Sequence, residues 1–366
     1  MVQGNHQFQI AWLDESRREQ AIRDMLECRN ASGTAGNRRR RRPADYSMVV
    51  FEGNVAPTPE LCGPLNAALK SPPDATRKPA DGIQIWLGEP VAIAAPTRVE
   101  LRRAGGQNLM IIGQDEKQVD SLLAYVVLSC CVNGSLNNSS PARDGDRSNT
   151  DSQRRLVLLH DGRDHEVVQR FRSLQSVAGV DGYSIAEPTE CDAVIQSLYD
   201  TVVAREEDSV RANGPEQFLV IRNLGQFRTL RKDDDDFGLG GFGEKKAATA
   251  ASMFGDIIKR GPVVGVHVIV WSDTFSNAIR WISNSLLREF ETRIAFRMNQ
   301  ADSSSLLDSP VASLLTPGRA IVYRDQTGTS EKFRPFAWPS DTWLRSMTEG
   351  DPPPATDLDI NSLIIE

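Results

Sequence analysis

The chain has 366 residues, 40% of them hydrophobic and 25% charged, with a formal net charge of −7. That length holds one large α/β domain and a smaller region around an ample core. The acidic balance excludes non-specific coating of nucleic acid by the whole surface but leaves room for a local basic patch. No apolar run approaches the ~20 residues of a transmembrane helix, and the N-terminal MVQGNHQFQI lacks the layout of a signal peptide, so a cytoplasmic protein is expected.

In chain order, Asp14–Cys28 begins with a capping-type Asp and places Ala21, Ile22, Met25 and Leu26 on one face, predicting a helix. Asn30–Pro43 follows, small residues joined to Arg38, Arg39, Arg40, Arg41 and Arg42, five cations that cannot be buried together. Ser47–Phe51 and Ile83–Ile93 are predicted strands, the second interrupted at Gly88-Glu-Pro90. Thr58–Leu69 is a predicted short helix and Ser71–Asp81 a loop.

From Gly106 onward strand alternates with helix, implying a mostly parallel sheet covered on both faces. Strands are expected at Leu109–Ile112, Leu156–His160, Tyr183–Ala186, Phe218–Ile221, Val266–Trp271, Arg293–Met298 and Ala320–Tyr323. Helices are expected at Val119–Cys131, Asp164–Leu174, Asp192–Glu207, Lys245–Lys259 and Ser276–Phe290. Asn133–Ser152 and Arg231–Glu244, the latter carrying Asp233–Asp236, are polar insertions, and Ser346–Glu366 is an acidic, Pro-rich tail. Of the five cysteines, Cys28, Cys62, Cys130, Cys131 and Cys191, none falls at metal-ligand spacing, so buried reduced thiols are expected.

The most informative stretch is Asn108–Ser121, NLMIIGQDEKQVDS, where a strand enters a helix through a turn that ought to hold a phosphate. A working P-loop, G-x-x-x-x-G-K-[ST], closes backbone N–H groups around phosphate, neutralises it with Lys and holds Mg²⁺ through the hydroxyl. Here the stretch runs Gly113, Gln114, Asp115, Glu116, Lys117, Gln118, Val119, Asp120. Gln118 puts a Cβ where backbone must approach closely. Val119 takes the Lys position, and Asp120 brings negative charge to the terminal phosphates. Lys117 is two residues early, on another face of the turn.

The second half of the chain resembles the motor domain of the FtsK/SpoIIIE family, in the FtsK–HerA group of RecA-like ATPases. Ile85–Pro90 (IWLGEP) and Asn108–Gly113 resemble the strand and turn leading to the P-loop and the P-loop strand itself. Gly265–Val270 (GVHVIV) resembles the family's Gly-Ile-His strand, and Thr292–Phe296 (TRIAF) matches its Thr-Arg-Ile-Ala-Phe strand letter for letter. Asp302–Ser303, Leu307–Asp308 and Gly318–Tyr323 resemble the segments that close the domain. The resemblance covers roughly residues 84–336. It implies a RecA-like P-loop NTPase fold at 83–340, preceded by a small α+β accessory region with an Arg-rich linker at 1–82 and followed by a flexible acidic tail at 341–366.

The departures fall on the chemistry. Where the family has four apolar residues and then Asp-Glu, for Mg²⁺ and for the attacking water, Phe218–Ile221 is followed by Arg222 and Asn223. Where the family's Thr-Gln senses the terminal phosphate, the chain has Ser272 and Asp273. ATP and Mg²⁺ are implied by the family alone, tight binding of neither is expected, and no residue is assigned a catalytic role. Arg222 is open to two readings, a bridge to Asp120 or Asp273 in place of the lost metal, or a surface residue at a strand end. Arg38–Arg42 can track a phosphate backbone, but with no aromatic residues interleaved a solvated stretch is favoured. Asp233–Asp236 lacks the calcium-loop spacing. His267, Trp86, Trp271 and Trp281 are expected in the core.

The resemblance implies partnership with other FtsK-like subunits or domains in a ring, with DNA as the translocated substrate and this chain as a structural or regulatory module. The alternative is a degenerate module of a type VII secretion-like translocase, a group that resembles FtsK and moves protein rather than DNA.

Overall fold

The computed structural model describes residues 14–31, 56–70, 82–92, 94–133, 156–178, 183–208, 214–232 and 248–348. The chain divides into two units, Met1–Gly53 and Asn54–Glu366. In the first, helix α1 (Glu15–Ala31) begins where Asp14 Oδ1 accepts the Arg17 N–H at 3.1 Å, as the capping-type Asp predicts. The predicted strand Ser47–Phe51 and the run Arg38–Arg42 lie outside the described residues.

The second unit is built on one ten-stranded sheet. Its strands are β1 (Ile83–Pro90), β2 (Thr97–Leu101), β3 (Leu109–Ile112), β4 (Leu156–Leu159), β5 (Tyr183–Ala186), β6 (Gln217–Ile221), β7 (Val266–Ser272), β8 (Thr292–Ala295), β9 (Ala320–Arg324) and β10 (Thr329–Pro335), in the order β2-β1-β10-β9-β8-β3-β7-β6-β4-β5. The block from β8 to β5 is parallel and the remainder antiparallel. Continuous apolar runs such as LMII in β3 and LVLL in β4 are buried at every residue, as a strand covered on both faces requires.

Alternation along each strand divides the core. Leu109 and Ile111 face one cluster with α2 (Gly63–Lys70), α3 (Glu116–Asn133), α4 (His165–Ala178) and a C-terminal helix, Asp341–Thr348. Met110 and Ile112 face the other with α5 (Cys191–Glu207), α6 (Ala250–Arg260) and α7 (Phe275–Trp281).

Several boundaries differ from the sequence expectation. Residues predicted as one helix over Ser276–Phe290 break at Ile282, whose extended backbone lets the Ser283 hydroxyl cap a separate turn, α8 (Asn284–Leu287). A further helix, α9 (Gln300–Leu307), is capped by Asn299. The division at residue 82 does not hold, because Leu65 of α2 is fully buried in the core of the second unit. Nor does a tail begin at 341: Asp341–Thr348 is helix α10, burying Trp343 and Leu344, with Trp343 Nε1 donating to Asn66 Oδ1 at 3.0 Å.

Polar residues knit the start of the parallel block. Asn108 is fully buried and fully used. Its Nδ2 donates to Ile258 O and Glu289 O, both at 2.9 Å, and its Oδ1 accepts the Val268 N–H at 2.8 Å, so a single amide ties β3 to α6, β7 and the approach to β8. His267 is fully buried in β7, stacked on Phe218, with Nδ1 2.8 Å from Gln107 O. Burial lowers it to about 4, which keeps the ring neutral. The packed-histidine expectation is met. Trp86 and Trp271 are buried and Trp281 half-buried, its indole N–H held by Phe227 O. Cys62, Cys130, Cys131 and Cys191 are buried thiols, Cys131 pushed up to about 12 by burial. Among the described residues no helix is long and apolar enough to cross a membrane.

Candidate functional site

The turn between β3 and α3 has only three residues, Gly113, Gln114 and Asp115, before helix begins at Glu116. Counting a P-loop from Gly113 assumes a longer loop, so Gln118, Val119 and Asp120 fall inside the helix rather than at its mouth. Asp115 explains the early start. Its Oδ1 accepts the Gln118 N–H at 3.2 Å and its Oδ2 accepts Gln118 Nε2 at 2.6 Å, so the carboxylate occupies the place where a helix N-terminus would receive a phosphate oxygen. Glu116 and Lys117 are exposed on the first turn and Val119 is core.

Gly113 is a packing glycine. A Cβ there would lie 2.6 Å from Phe296 Cδ2, and its carbonyl accepts the Trp271 indole N–H at 2.9 Å. The glycine that heads the apparent phosphate loop is thus required by the last letter of the TRIAF segment. Within the same segment buried Arg293 donates to Phe290 O at 3.0 Å and Leu306 O at 2.9 Å. These motif residues hold the fold together, and their retention carries no catalytic information.

Arg222 follows β6 and is buried. Its Nε lies 2.7 Å from Asp120 Oδ1 and its Nη2 3.0 Å from Asp120 Oδ2, a two-pronged contact. Nη1 lies 3.5 Å from Asp161 Oδ1, Nη2 lies 3.3 Å from exposed Glu116, and the guanidinium is 5.3 Å from the Trp271 ring centroid. Burial pushes the Asp120 carboxyl above its ordinary value, and the hydrogen bonds and charge of Arg222 oppose that rise. The strand-end surface reading of Arg222 is excluded. Of its two proposed partners, Asp120 is in place and Asp273 is not.

Asp273 follows β7 and turns to its own helix, accepting Thr274 N–H at 2.7 Å and Asn277 Nδ2 at 2.8 Å. Asn223 adopts a left-handed conformation, φ 62°, and heads the next short helix, a role that its side chain tolerates. Asp161 was not singled out in the sequence. It becomes a partner because β4 pairs with β6, Leu159 opposite Ile221, and strand order is not written in any local motif. Just before it, buried His160 accepts the Gly162 N–H at Nδ1, and burial lowers its pKa.

A cleft of about 610 Å³ opens at the C-terminal ends of β3, β7 and β8, lined in part by Gly113, Gln114, Asp115, Asp273, Phe296 and Arg297. The Mg²⁺–nucleotide implied by the family does not fit the residues present. The turn is too short to wrap a phosphate, its helix terminus is capped by Asp115, and a guanidinium stands where the metal acids belong.

No family model matches the chain, and no curated protein matches it. Solved structures do. The cytoplasmic domain of the Thermomonospora curvata type VII secretion ATPase EccC is 16% identical with a TM-score of 0.54, over 82% of this chain and 35% of that one. The pCW3 conjugation coupling protein TcpA, solved with ATPγS, is 11% identical with a TM-score of 0.50, over 73% of this chain and 70% of that one. This chain therefore spans about a third of the EccC domain. At these identities the likeness establishes a RecA-like P-loop ATPase fold.

Proposed function

We propose that this chain is a catalytically degenerate relative of the FtsK–HerA translocases, serving as a structural or regulatory module beside working ATPase domains rather than turning over ATP itself. The observation that carries this reading is the buried Arg222–Asp120 pair, 2.7 Å at its shorter contact. A guanidinium already neutralised by an acid inside α3 stands where the metal-binding carboxylates would follow β6. Each lost element supports the same conclusion independently: no lysine in the turn, no Asp-Glu after β6, and no Thr-Gln after β7. A ring interface does not require turnover in every subunit.

Calorimetric titration with ATP and Mg²⁺ tests this reading. The heat is expected to stay near dilution, because Asp115 and Asp273 repel phosphate and the turn offers no lysine to offset them. A micromolar dissociation constant, about −8 kcal/mol, would overturn it.

A second reading concerns the partner. Exposed acids follow the C-terminal ends of three strands of the parallel block, Glu116 after β3, and Asp164, Glu187 and Glu190 after the adjacent β4 and β5. Such an edge disfavours a polyanion and suits a basic protein surface. Duplex DNA is therefore expected not to shift on a gel at physiological salt. Binding that is strong at low salt and collapses steeply as salt rises would restore DNA as the partner.

A further inference from the structure

The cleft keeps two cations for which the described residues supply no counter-charge. Its carboxylates are engaged: Asp115 by Gln118, Asp273 by Asn277 and Thr274, and Asp302 by Asn299 Nδ2 at 2.7 Å. Arg297 and Arg319 line the same cleft, and among the described residues neither has a hydrogen-bond or ion-pair partner. β8 and β9 are antiparallel with Ala295 opposite Ile321, so Arg297, two residues past the end of β8, and Arg319, one residue before β9, are delivered to the same end of the sheet. Beside them the cleft offers apolar surface from Phe275, Phe296, Met298 and Pro317.

We infer that Arg297 and Arg319 form an anion clamp, and that the cleft binds a small phosphate- or carboxylate-bearing molecule with an apolar body. The clamp lies at β8 and β9, one and two strands from β3, away from the α3 terminus that Asp115 has closed. Two guanidiniums bracket one anionic group, and the aromatic and thioether walls take the remainder of the ligand. The inference rests on the reading that the cleft no longer serves Mg²⁺–nucleotide. Its test involves no turnover, so hydrolysis of ATP would sink that reading without deciding the clamp.

Phenyl phosphate and benzoate, titrated separately by calorimetry at constant ionic strength, are the probes. Saturable binding of at least one is expected, weakened about tenfold or more in Arg297→Gln and in Arg319→Gln and unchanged in Arg280→Gln, an exposed arginine outside the cleft. Binding of the phosphate alone, or of the carboxylate alone, identifies the anionic group. Absence of saturable binding by both probes, or equal binding in the glutamine variants, would overturn the clamp.

Discussion

Replacing Arg222 with alanine is expected to lower the melting temperature at neutral pH by on the order of 10 °C, following a loss of about 3–5 kcal/mol. The loss has a specific origin. Asp120 is buried and receives both its hydrogen bonds from Arg222 over 2.7–3.0 Å, while Asp161 shares the same guanidinium. Without it two neighbouring carboxylates face each other in a poorly solvated site. The pH dependence follows from the raised pKa of Asp120, which burial causes. A raised native pKa means the folded state holds the proton more tightly than the unfolded chain does. Acid therefore relieves the strain through this group, and the cost returns as pH rises. Losing Arg222 removes what opposes that rise, so the deficit between variant and parent should shrink as pH falls toward 4. Arg222→Ala/Asp120→Ala should be less damaged than Arg222→Ala alone, because it leaves one fewer stranded charge. A variant that melts with the parent, or a deficit independent of pH, would remove Asp120–Arg222 from the account.

The second large effect has the opposite sign. His267 is fully buried and lowered to about 4 from an ordinary 6.5. Between those values the unfolded chain takes up a proton that the native state refuses, so stability is full above pH 6.5 and declines as pH falls toward 4, by about 3 kcal/mol in all. In His267→Gln this decline should disappear, at the expense of a lower baseline from altered packing against Phe218. Acid denaturation curves of parent and variant that stay parallel across the window would show that His267 does not govern it. The two effects overlap in pH, which is why the Arg222 comparison is made against the parent at each pH, where the His267 contribution is common to both.

Much of the fold was legible because burial on both faces leaves a plain trace. LMII, LVLL and VHVIVW read as strands without any partner being known. β2 and β10 were missed because TRVEL and TSEKFRP alternate with charges at the antiparallel side of the sheet, a pattern that a polar loop shares. The helix break at Ser283 could have been read from a capping serine following an extended residue. At the site the identities of the substituted residues were visible, but their geometry was only half visible. Asp115-x-x-Gln118 is a helix-start signature that ends the loop at Asp115, two residues after Gly113. The Phe296 contact that makes Gly113 a glycine, and the pairing that brings Asp161 to Arg222, depend on which strands lie side by side.

Steady-state ATP turnover by the purified chain, measured with Mg²⁺ at neutral pH, decides whether the site is degenerate. No phosphate release above background is expected in the parent, and none in Asp115→Ala, because emptying one cap does not restore lysine, metal ligands or sensor. Turnover at the ~1 s⁻¹ or faster expected of a working phosphoryl-transfer enzyme would mean that the β3–α3 turn, Arg222 and Asp273 form a catalytic site of another design, and the degenerate reading would be contradicted.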